Sequence, residues 1–223
     1  MGIKENWIRI REKINLACQY SGRSPNEVKV LVASKYMDEE TIREIFLLGL
    51  NIFGENQIQV AQKKMKALSD LPIKWHFIGH LQTNKINRFL SLDFELFHSL
   101  DRVDLIYALN KRAERRGRKV KVLLEANLYK EKTKYGFTEE KDLWYALELI
   151  DKEMKFIECV GLMTMAPFRA DERILRDIFS KVRSLANEMG LAEISMGTSS
   201  DFEIAIQEGA TIVRIGSAFL NSV

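Results

Sequence analysis

Cysteine is rare in this sequence, which limits both its redox chemistry and the metal sites it can build. The two cysteines, Cys18 and Cys159, stand far apart, and neither has a second cysteine nearby. They therefore provide neither a disulfide framework nor a cysteine-rich zinc site, and this usage fits a reducing compartment. The first residues also lack the uninterrupted apolar segment of a signal peptide, and no apolar run approaches the length of a membrane span. We expect a cytoplasmic protein with no membrane partner.

Proline and net charge are low as well. Three prolines, 46% hydrophobic residues and 29% charged residues describe an ordinary globular chain with enough apolar material for a core. The 34 Lys and Arg residues nearly balance the 31 Asp and Glu residues, which leaves a net charge of +3. A charge this small gives no strong field for holding a polyanion, so we do not expect a nucleic-acid-binding protein.

The apolar pattern predicts a leading helix within residues 1–20, followed by alternating strands and helices. Apolar residues recur at helical spacing from Ile3 to Tyr20. Eight short strands are then predicted at Val28–Ser34, Asn51–Asn56, Lys74–His80, Glu95–Leu100, Val120–Asn127, Phe156–Thr164, Glu193–Gly197 and Thr211–Gly216. The helices between them are predicted to end near Leu48, Leu68, Leu90 and Arg116, and to cover Glu139–Asp151, Asp171–Met189 and Phe202–Glu208. This alternation is typical of βα units on a parallel sheet.

Eight parallel units are the number at which such a sheet closes. The predicted fold class is therefore α/β, a single TIM (β/α)8 barrel with an additional N-terminal helix. An open doubly wound sheet is the alternative. The barrel is favoured because the units run through residues 1–223 without a linker, which indicates one domain. The first βα turn, SKYMDEE, also lacks the glycine-rich fingerprint of an open dinucleotide-binding fold.

Lys35 is the first candidate for chemistry. In a barrel the functional face lies at the carboxyl ends of the strands, and Lys35 follows the first strand there. A lysine carried on a buried strand is partly desolvated, which lowers the pKa of its amine and makes the amine nucleophilic enough for a Schiff base. A lysine taken alone is explained better as a solvated strand end, so Lys35 needs an aldehyde partner.

Two turns late in the chain indicate a place for the anionic group of such a partner. The turn GTSSD after the seventh strand offers Ser199 and Ser200, and RIGSAF after the eighth offers Gly216 and Ser217. Glycine lets the backbone approach a ligand, and a phosphate site between the loops after strands seven and eight recurs in this barrel. Each serine alone is explained equally well as a helix cap, but the two turns together favour a phosphate site.

A lysine facing a phosphate cup suits an aldehyde-bearing phosphate ester, above all pyridoxal phosphate. Arg214 lies two residues before Gly216, so both point to the same side of the strand, and Arg214 is expected to reach the ring nitrogen of the cofactor. An interior salt bridge from Arg214 to a carboxylate such as Glu125 is the alternative. An arginine at that nitrogen keeps it unprotonated and weakens the cofactor as an electron sink, which disfavours broad carbanion chemistry.

The histidines and the loop lysines give weaker signals. His76 and His80 are four residues apart, but they lie in a strand context without the catalytic glutamate of a zinc protease, so no metal site is expected. His98 falls in an apolar strand and is expected to be a hydrogen-bonded core residue. Lys132 and Lys134 follow the fifth strand, where they are either solvated charges or attract a phosphorylated ligand.

Six segments, in order over almost the whole chain, carry a resemblance to a known family. They are VASK at Val32–Lys35, FGEN at Phe53–Asn56, WHFIGHLQTNK at Trp75–Lys85, GLMTMAP at Gly161–Pro167, SMGTSSDFEIAI at Ser195–Ile206 and VRIGSAF at Val213–Phe219. The sequence resembles the YggS/PROSC-type pyridoxal phosphate homeostasis proteins, and WHFIGHLQTNK is a long string that is specific to them.

The resemblance implies a monomeric or weakly dimeric barrel like the N-terminal domain of alanine racemase. It implies that pyridoxal phosphate is held as a Schiff base on Lys35 and that the protein carries or regulates intracellular cofactor, with no established catalytic reaction. Apoenzymes that depend on pyridoxal phosphate are then the partners to consider. Carried over by motif, Ser199 or Ser200 and Gly216-Ser217 hold the phosphate, Arg214 faces the pyridine nitrogen, and Asn56 and His80 line the pocket.

The sequence also departs from the family pattern, and two enzyme alternatives stay open. GTSSD replaces the usual GMSGD, so Ser200 in place of glycine is expected to narrow backbone access to the phosphate. One alternative is an amino-acid racemase or decarboxylase, and the other is an aldolase that uses Lys35 on a sugar phosphate. Alanine racemases take a second base, a tyrosine, from an added β domain. Tyr36 adjoins Lys35 but is expected to point to the opposite face of the strand.

Overall fold

A computed structural model describes residues 2–131, 133–167 and 169–220, and its eight parallel strands form a closed barrel in which each strand pairs with its neighbours in chain order and β8 pairs with β1. The strands are β1 (Lys29–Ala33), β2 (Ile52–Glu55), β3 (Lys74–Phe77), β4 (Phe94–Leu100), β5 (Val120–Ala126), β6 (Ile157–Thr164), β7 (Glu193–Thr198) and β8 (Ile212–Ile215). The predicted TIM barrel is confirmed, and the open-sheet alternative is wrong.

Helices follow the strands around the outside of the barrel. Within the described residues they are α1 (Ile3–Tyr20), α2 (Glu39–Leu47), α3 (Ile58–Ala67), α4 (Ile86–Phe89), α5 (Val103–Arg115), α6 (Glu140–Glu153), α7 (Glu172–Glu188), α8 (Phe202–Gln207) and α9 (Ser217–Leu220). The helix predicted to end near Leu90 is only a 3-10 turn at Thr83–Lys85 followed by the one-turn α4. The one-turn α9 after β8 was not predicted, because four residues are too few for a periodic signal.

Apolar side chains fill both sides of the barrel wall. Between the strands and the outer helices lies the larger core, to which α7 alone contributes six buried residues of its strongly amphipathic stripe. Inside the barrel a smaller cluster blocks the lumen, formed by Leu31, Leu96, Leu123, Met163 and Ile212. The interior is therefore a packed plug, and a ligand site has to lie above it at the carboxyl ends of the strands.

The leading helix α1 packs against the end of the chain. Its buried stripe includes Ile10, Ile14 and Ala17, which fits the helical spacing expected from the sequence. The buried Asn6 donates a hydrogen bond from Nδ2 to the Phe219 carbonyl oxygen at 2.9 Å, and the Trp7 ring stacks on the Phe219 ring. This contact anchors α9 against α1. In the described part of the chain, no helix combines the length and apolar character needed to cross a membrane.

Candidate cofactor site at the barrel mouth

A cavity of about 710 Å³ opens at the carboxyl ends of the strands, and we call it the mouth cavity. The structure brings all eight of the predicted site residues to its lining: Lys35, Asn56, His80, Ser199, Ser200, Arg214, Gly216 and Ser217. They come from β1, β2, β3, β7 and β8 or the turns directly after these strands, so the closure of the barrel is what gathers them. Their roles toward a ligand stay predictions.

Lys35 lies in the turn between β1 and α2, not on the strand. Strand β1 ends at Ala33, two residues earlier, and the Lys35 side chain is exposed. The expectation of a partly desolvated lysine on a buried strand is therefore wrong. The prediction for Tyr36 is wrong for the same reason, because strand alternation does not apply beyond the strand. Tyr36 lines the mouth cavity as well, with the Lys35 Nζ atom 4.7 Å from its ring centroid.

A buried ion pair fixes the backbone that leads into Lys35. Lys64 of α3 donates from Nζ to the Ser34 carbonyl oxygen at 2.7 Å and to Glu55 Oε1 at 2.6 Å. The Ser34 hydroxyl also donates to Glu55 Oε1, at 2.9 Å. Both charged side chains are nearly inaccessible, at 7% and 0% exposure. Burial without such pairing would be costly for either charge. We call Lys64, Glu55 and their hydrogen bonds to Ser34 the clamp. The clamp fixes the position of the Ser34 carbonyl group, directly before Lys35.

The Ser199 hydroxyl group of the GTSSD turn faces the turn after β8. The Ser199 hydroxyl oxygen accepts hydrogen bonds from the backbone N–H groups of Gly216 and Ala218, at 3.1 and 3.3 Å. An added Cβ at Gly216 would lie 2.9 Å from the Ala33 carbonyl oxygen, so this position requires glycine. Ser200 lies within 3.2 Å of the Thr198 hydroxyl. The two backbone N–H groups and the neighbouring serine hydroxyls form a cradle of hydrogen-bond donors of the kind that suits an oxyanion, and in this structure the Ser199 oxygen occupies both N–H groups.

Arg214 of β8 forms part of the floor of the mouth cavity and is 6% exposed. Its guanidinium group donates to Ser195 Oγ at 2.7 Å and to the Thr164 carbonyl oxygen at 2.9 Å. These neutral partners replace the interior salt bridge to Glu125 that was the alternative prediction. Burial lowers the pKa of Arg214 to about 10, which still leaves the group cationic at neutral pH.

The β3 side of the mouth cavity carries His80. His80 Nδ1 contacts Asp101 Oδ2 at 2.8 Å, and Arg102 donates to the other oxygen of the same carboxylate at 2.6 Å. The Tyr135 ring, from the loop after β5, stacks on the His80 ring with the centroids 3.8 Å apart. His76 points elsewhere and contacts His98, so the two histidines that share zinc-protease spacing do not converge.

The loop between β5 and α6 holds its own charges. Lys134 donates to the carbonyl oxygens of Met165 and Ala166 and pairs with Glu131. Its ammonium group is thereby committed to tying this loop to the end of β6, which argues against one of the two alternatives for Lys134, the attraction of a phosphorylated ligand. Lys132, the second lysine named from the sequence, lies outside the described residues.

Sequence reasoning missed several residues that shape the site. Thr198, Asp101, Lys64 and Ser195 were not named, although each contacts a predicted site residue or its neighbour. Their contacts join elements that are 2 to 30 residues apart in the chain, and the register between strands decides them. Glycine spacing or hydroxyl clusters could have indicated Thr198, but no local pattern indicates the other three.

The fold and site define a class of protein, a βα-barrel of the alanine racemase N-terminal type with a lysine at a hydroxyl-lined mouth. Residues 41–221 match the family model "Alanine racemase, N-terminal domain". The chain is 43% identical to the pyridoxal phosphate homeostasis protein of Aquifex aeolicus, across 97% of this chain and 96% of that protein. It is 36% identical to the protein of the same name from Pseudomonas aeruginosa, across 99% and 95% of the two chains. The chain belongs to the family of pyridoxal phosphate homeostasis proteins.

Solved structures agree with this assignment. PipY of Synechococcus elongatus, solved with pyridoxal phosphate bound, is 32% identical with a TM-score of 0.82, and the match covers 95% of this chain and 100% of PipY. An alanine racemase from Clostridium difficile superposes with a TM-score of 0.75 at 12% identity. At that identity the likeness shows the fold alone, and this chain covers 57% of the racemase.

Proposed function

We propose that this protein binds pyridoxal phosphate in the mouth cavity as a Schiff base on Lys35 and acts in cytoplasmic homeostasis of that cofactor. One observation carries the proposal: a single cavity gathers a primary amine, a cradle of hydrogen-bond donors and a buried cationic guanidinium group. These three groups match the aldehyde, the phosphate and the ring nitrogen of the cofactor. The presence of pyridoxal phosphate in the PipY structure supports the proposal.

Each residue then has a definite task. The Ser199 hydroxyl and the N–H groups of Gly216 and Ala218 contact one another, and rotation of Ser199 would free both N–H groups for phosphate oxygens. Ser200 and Ser217 supply further hydroxyl groups at the same end. Lys35 provides the amine, with its backbone approach fixed by the clamp on Ser34. When bound, the cofactor supplies a reactive aldehyde, which binding keeps out of solution.

The proposed role is carriage of the cofactor rather than catalysis, with pyridoxal-phosphate-dependent apoenzymes as recipients and a monomer or weak dimer as the working form. Racemisation needs acid and base groups on both faces of the substrate carbon. Lys35 and Tyr36 are adjacent in one turn, with Nζ 4.7 Å from the tyrosine ring centroid. Two groups that share one turn do not supply the two opposed faces, which argues against the racemase alternative.

The test is the visible absorption spectrum of protein reconstituted with pyridoxal phosphate. Wild type should show a Schiff-base band that borohydride abolishes with covalent trapping of the cofactor, and Lys35→Ala should show neither. Lys74→Ala is the matched control, since Lys74 lies at the opposite end of the barrel, at the start of β3. It should behave as wild type. If reconstituted wild type shows no Schiff-base band, the proposal is wrong, and the colourless lysine aldolase becomes the favoured alternative. If the protein shows the Schiff-base band and also converts amino acids catalytically, the racemase or decarboxylase alternative is favoured.

A further inference from the structure

A series of hydrogen-bonded, buried polar side chains crosses the interior of the barrel and ends at Arg214; we call it the His76–Arg214 hydrogen-bond chain. His76 Nδ1 lies 2.9 Å from His98 Nε2, and His98 Nδ1 lies 3.0 Å from Ser195 Oγ. Ser195 Oγ in turn accepts the hydrogen bond from Arg214 at 2.7 Å. The four residues come from β3, β4, β7 and β8, and none is more than 6% exposed. The proposed function uses only Arg214, so the other three residues are unassigned.

The donors and acceptors in this chain have one consistent direction. Arginine carries only donors, so Ser195 Oγ accepts from Arg214. The hydroxyl proton of Ser195 then points to His98 Nδ1, which is the acceptor within reach. His98 consequently carries its proton on Nε2 and donates it to His76 Nδ1. The reverse assignment would leave the Ser195 proton without an acceptor in a fully buried position, at a substantial cost in free energy.

Both histidine rings are neutral in this arrangement, as the direction of donation requires. Burial lowers the pKa of His76 to about 3 and holds the pKa of His98 well below its usual value, and nearby cations act in the same sense. Those cations are Lys29 and Lys74 for His76, and Arg214 for His98. The His76–Arg214 hydrogen-bond chain therefore adds no positive charge beside Arg214. The two histidine rings accept and donate hydrogen bonds within it.

The His76–Arg214 hydrogen-bond chain fixes the orientation of the Arg214 guanidinium group. One terminal nitrogen donates to Ser195 Oγ and the other donates to the Thr164 carbonyl oxygen. A planar group held at both terminal nitrogens cannot rotate freely, and its remaining N–H donors keep one orientation at the floor of the mouth cavity. Removing Ser195 would delete one of the two attachments. Removing His98 would leave the Ser195 hydroxyl proton without its acceptor, so the oxygen that holds Arg214 would lose its fixed orientation.

We propose that Ser195 and His98 are positioning residues that orient Arg214 for recognition of the pyridine nitrogen, with His76 as the far end of the same chain. This inference rests on the proposed binding of pyridoxal phosphate. It predicts that the protein distinguishes pyridoxal phosphate from the analogue that carries C–H in place of the ring nitrogen, and that this discrimination depends on side chains that do not touch the cofactor.

The first experiment reads the histidine rings directly in the ligand-free protein. Nitrogen-15 NMR of wild type should show His76 and His98 as neutral rings with the proton on Nε2 and with no titration between pH 5 and 8. Ser195→Ala should change the Nδ1 resonance of His98, because its donor is lost. A proton on His98 Nδ1, or a ring that titrates in this range, would overturn the proposed chain whether or not any cofactor binds.

The second experiment measures affinity for the two aldehydes. Wild type should bind pyridoxal phosphate about tenfold or more tightly than the C–H analogue, the size expected for a hydrogen bond to a charged donor. Ser195→Ala and His98→Phe should reduce that ratio to about threefold or less while Lys35 still reacts. His98→Asn, whose amide oxygen can accept from Ser195 in place of Nδ1, should restore most of the ratio. Val182→Ala, a buried change in the outer helix α7, is the control for destabilisation alone.

The outcomes separate the two hypotheses. If wild type binds neither aldehyde, the proposed function fails and the positioning role fails with it. If wild type binds both through Lys35 but without discrimination, or if the variants keep the wild-type ratio, the positioning role alone is wrong. A ratio that falls equally in Val182→Ala would mean that general loosening of the barrel explains the effect, which also contradicts the proposal.

Discussion

Glu125 is a carboxyl group on the inner side of β5 that is only 8% exposed. Burial raises its pKa to about 7, and the negative charge of Asp101 acts in the same direction, while Arg214 and Lys134 oppose the shift. Three charged groups from other strands and loops therefore act electrostatically on Glu125. Glu125 therefore changes its protonation in the neutral pH range.

This raised pKa makes a prediction about stability. The folded chain keeps the Glu125 proton up to about pH 7, whereas an unfolded chain loses it near 4.5. Between these values the folded state binds more protons, so the contribution of Glu125 to stability falls as pH rises. Glu125→Gln should thus gain stability relative to wild type between pH 5 and pH 8, by at most about 3 kcal/mol.

Urea unfolding of both proteins at the two pH values measures the gain. Glu148→Gln is the surface control. The pKa of Glu148 is lowered by its hydrogen bond from Lys152, so this carboxylate stays ionised across the whole range. Equal pH dependence of wild type and Glu125→Gln would contradict the prediction.

Single residues were predictable from the sequence where a local pattern carried the signal. Lys35 follows an apolar strand, and Ser199 and Gly216 stand in recognisable turns, so their approach to one cavity followed from the barrel topology. The degree of burial was not predictable, because Lys35 lies two residues beyond the end of β1. The partners of Arg214 were not predictable either, since strand register decides whether Ser195 or Glu125 meets its guanidinium group.

At the level of elements, the helix that follows Lys35 depends on one capping residue. Asp38 is the N-cap of α2, and its carboxylate accepts a hydrogen bond from the Thr41 backbone N–H at 2.9 Å. Asp171 caps α7 in the same way through the Ile174 N–H at 2.8 Å. The two caps have the same chemistry, but only Asp38 lies three residues from Lys35.

These caps form a matched pair of variants. Asp38→Ala and Asp171→Ala should each lower the free energy of unfolding by about 1 kcal/mol, because each leaves a helix N–H group unpaired. Only Asp38→Ala should also weaken binding of pyridoxal phosphate, since fraying of α2 loosens the turn that carries Lys35. Denaturant unfolding and titration with the cofactor measure the two effects. Equal loss of affinity in both variants would mean that global stability, not the local turn, controls binding.

Elements themselves were predicted well when they were long. The bounds of α1 agree with the predicted stretch from Ile3 to Tyr20, and each predicted strand overlaps the observed one. The connection after β3 was wrong, because the segment before Leu90 forms a 3-10 turn and a single α-helical turn rather than a regular helix. An apolar pattern over so few residues does not distinguish these conformations, and tertiary packing selects between them.

At the scale of the whole molecule, the first and last described helices, α1 and α9, pack against each other and are joined by a hydrogen bond. Asn6 is buried at 2% exposure, and its amide nitrogen is the donor to the Phe219 carbonyl oxygen. The helix that contains Phe219 begins at Ser217, which lines the mouth cavity. Packing at the start of the chain is therefore connected to one wall of the candidate site.

Asn6→Asp tests this connection with almost no change of shape. The new carboxylate faces a carbonyl oxygen without a donor between them, so the variant should lose about 3 kcal/mol of stability at pH 7. Hydrogen exchange should become faster in α1 and α9 together, and affinity for pyridoxal phosphate should fall. Asn187→Asp, on the exposed side of α7, should change none of these. Faster exchange in α1 alone would show that the two helices open independently.

The contact between Asn6 and Phe219 also means that the barrel geometry does not require the polypeptide to begin at α1 and end at α9. The two ends of the described chain lie side by side, so a short linker could join them and new ends could be opened elsewhere. The turn at Gly117, between α5 and β5, is a suitable place, because it lies at the amino end of the strands, opposite the mouth cavity. A circular permutant cut there would keep every strand neighbour, and Lys35 would then belong to the second half of the polypeptide.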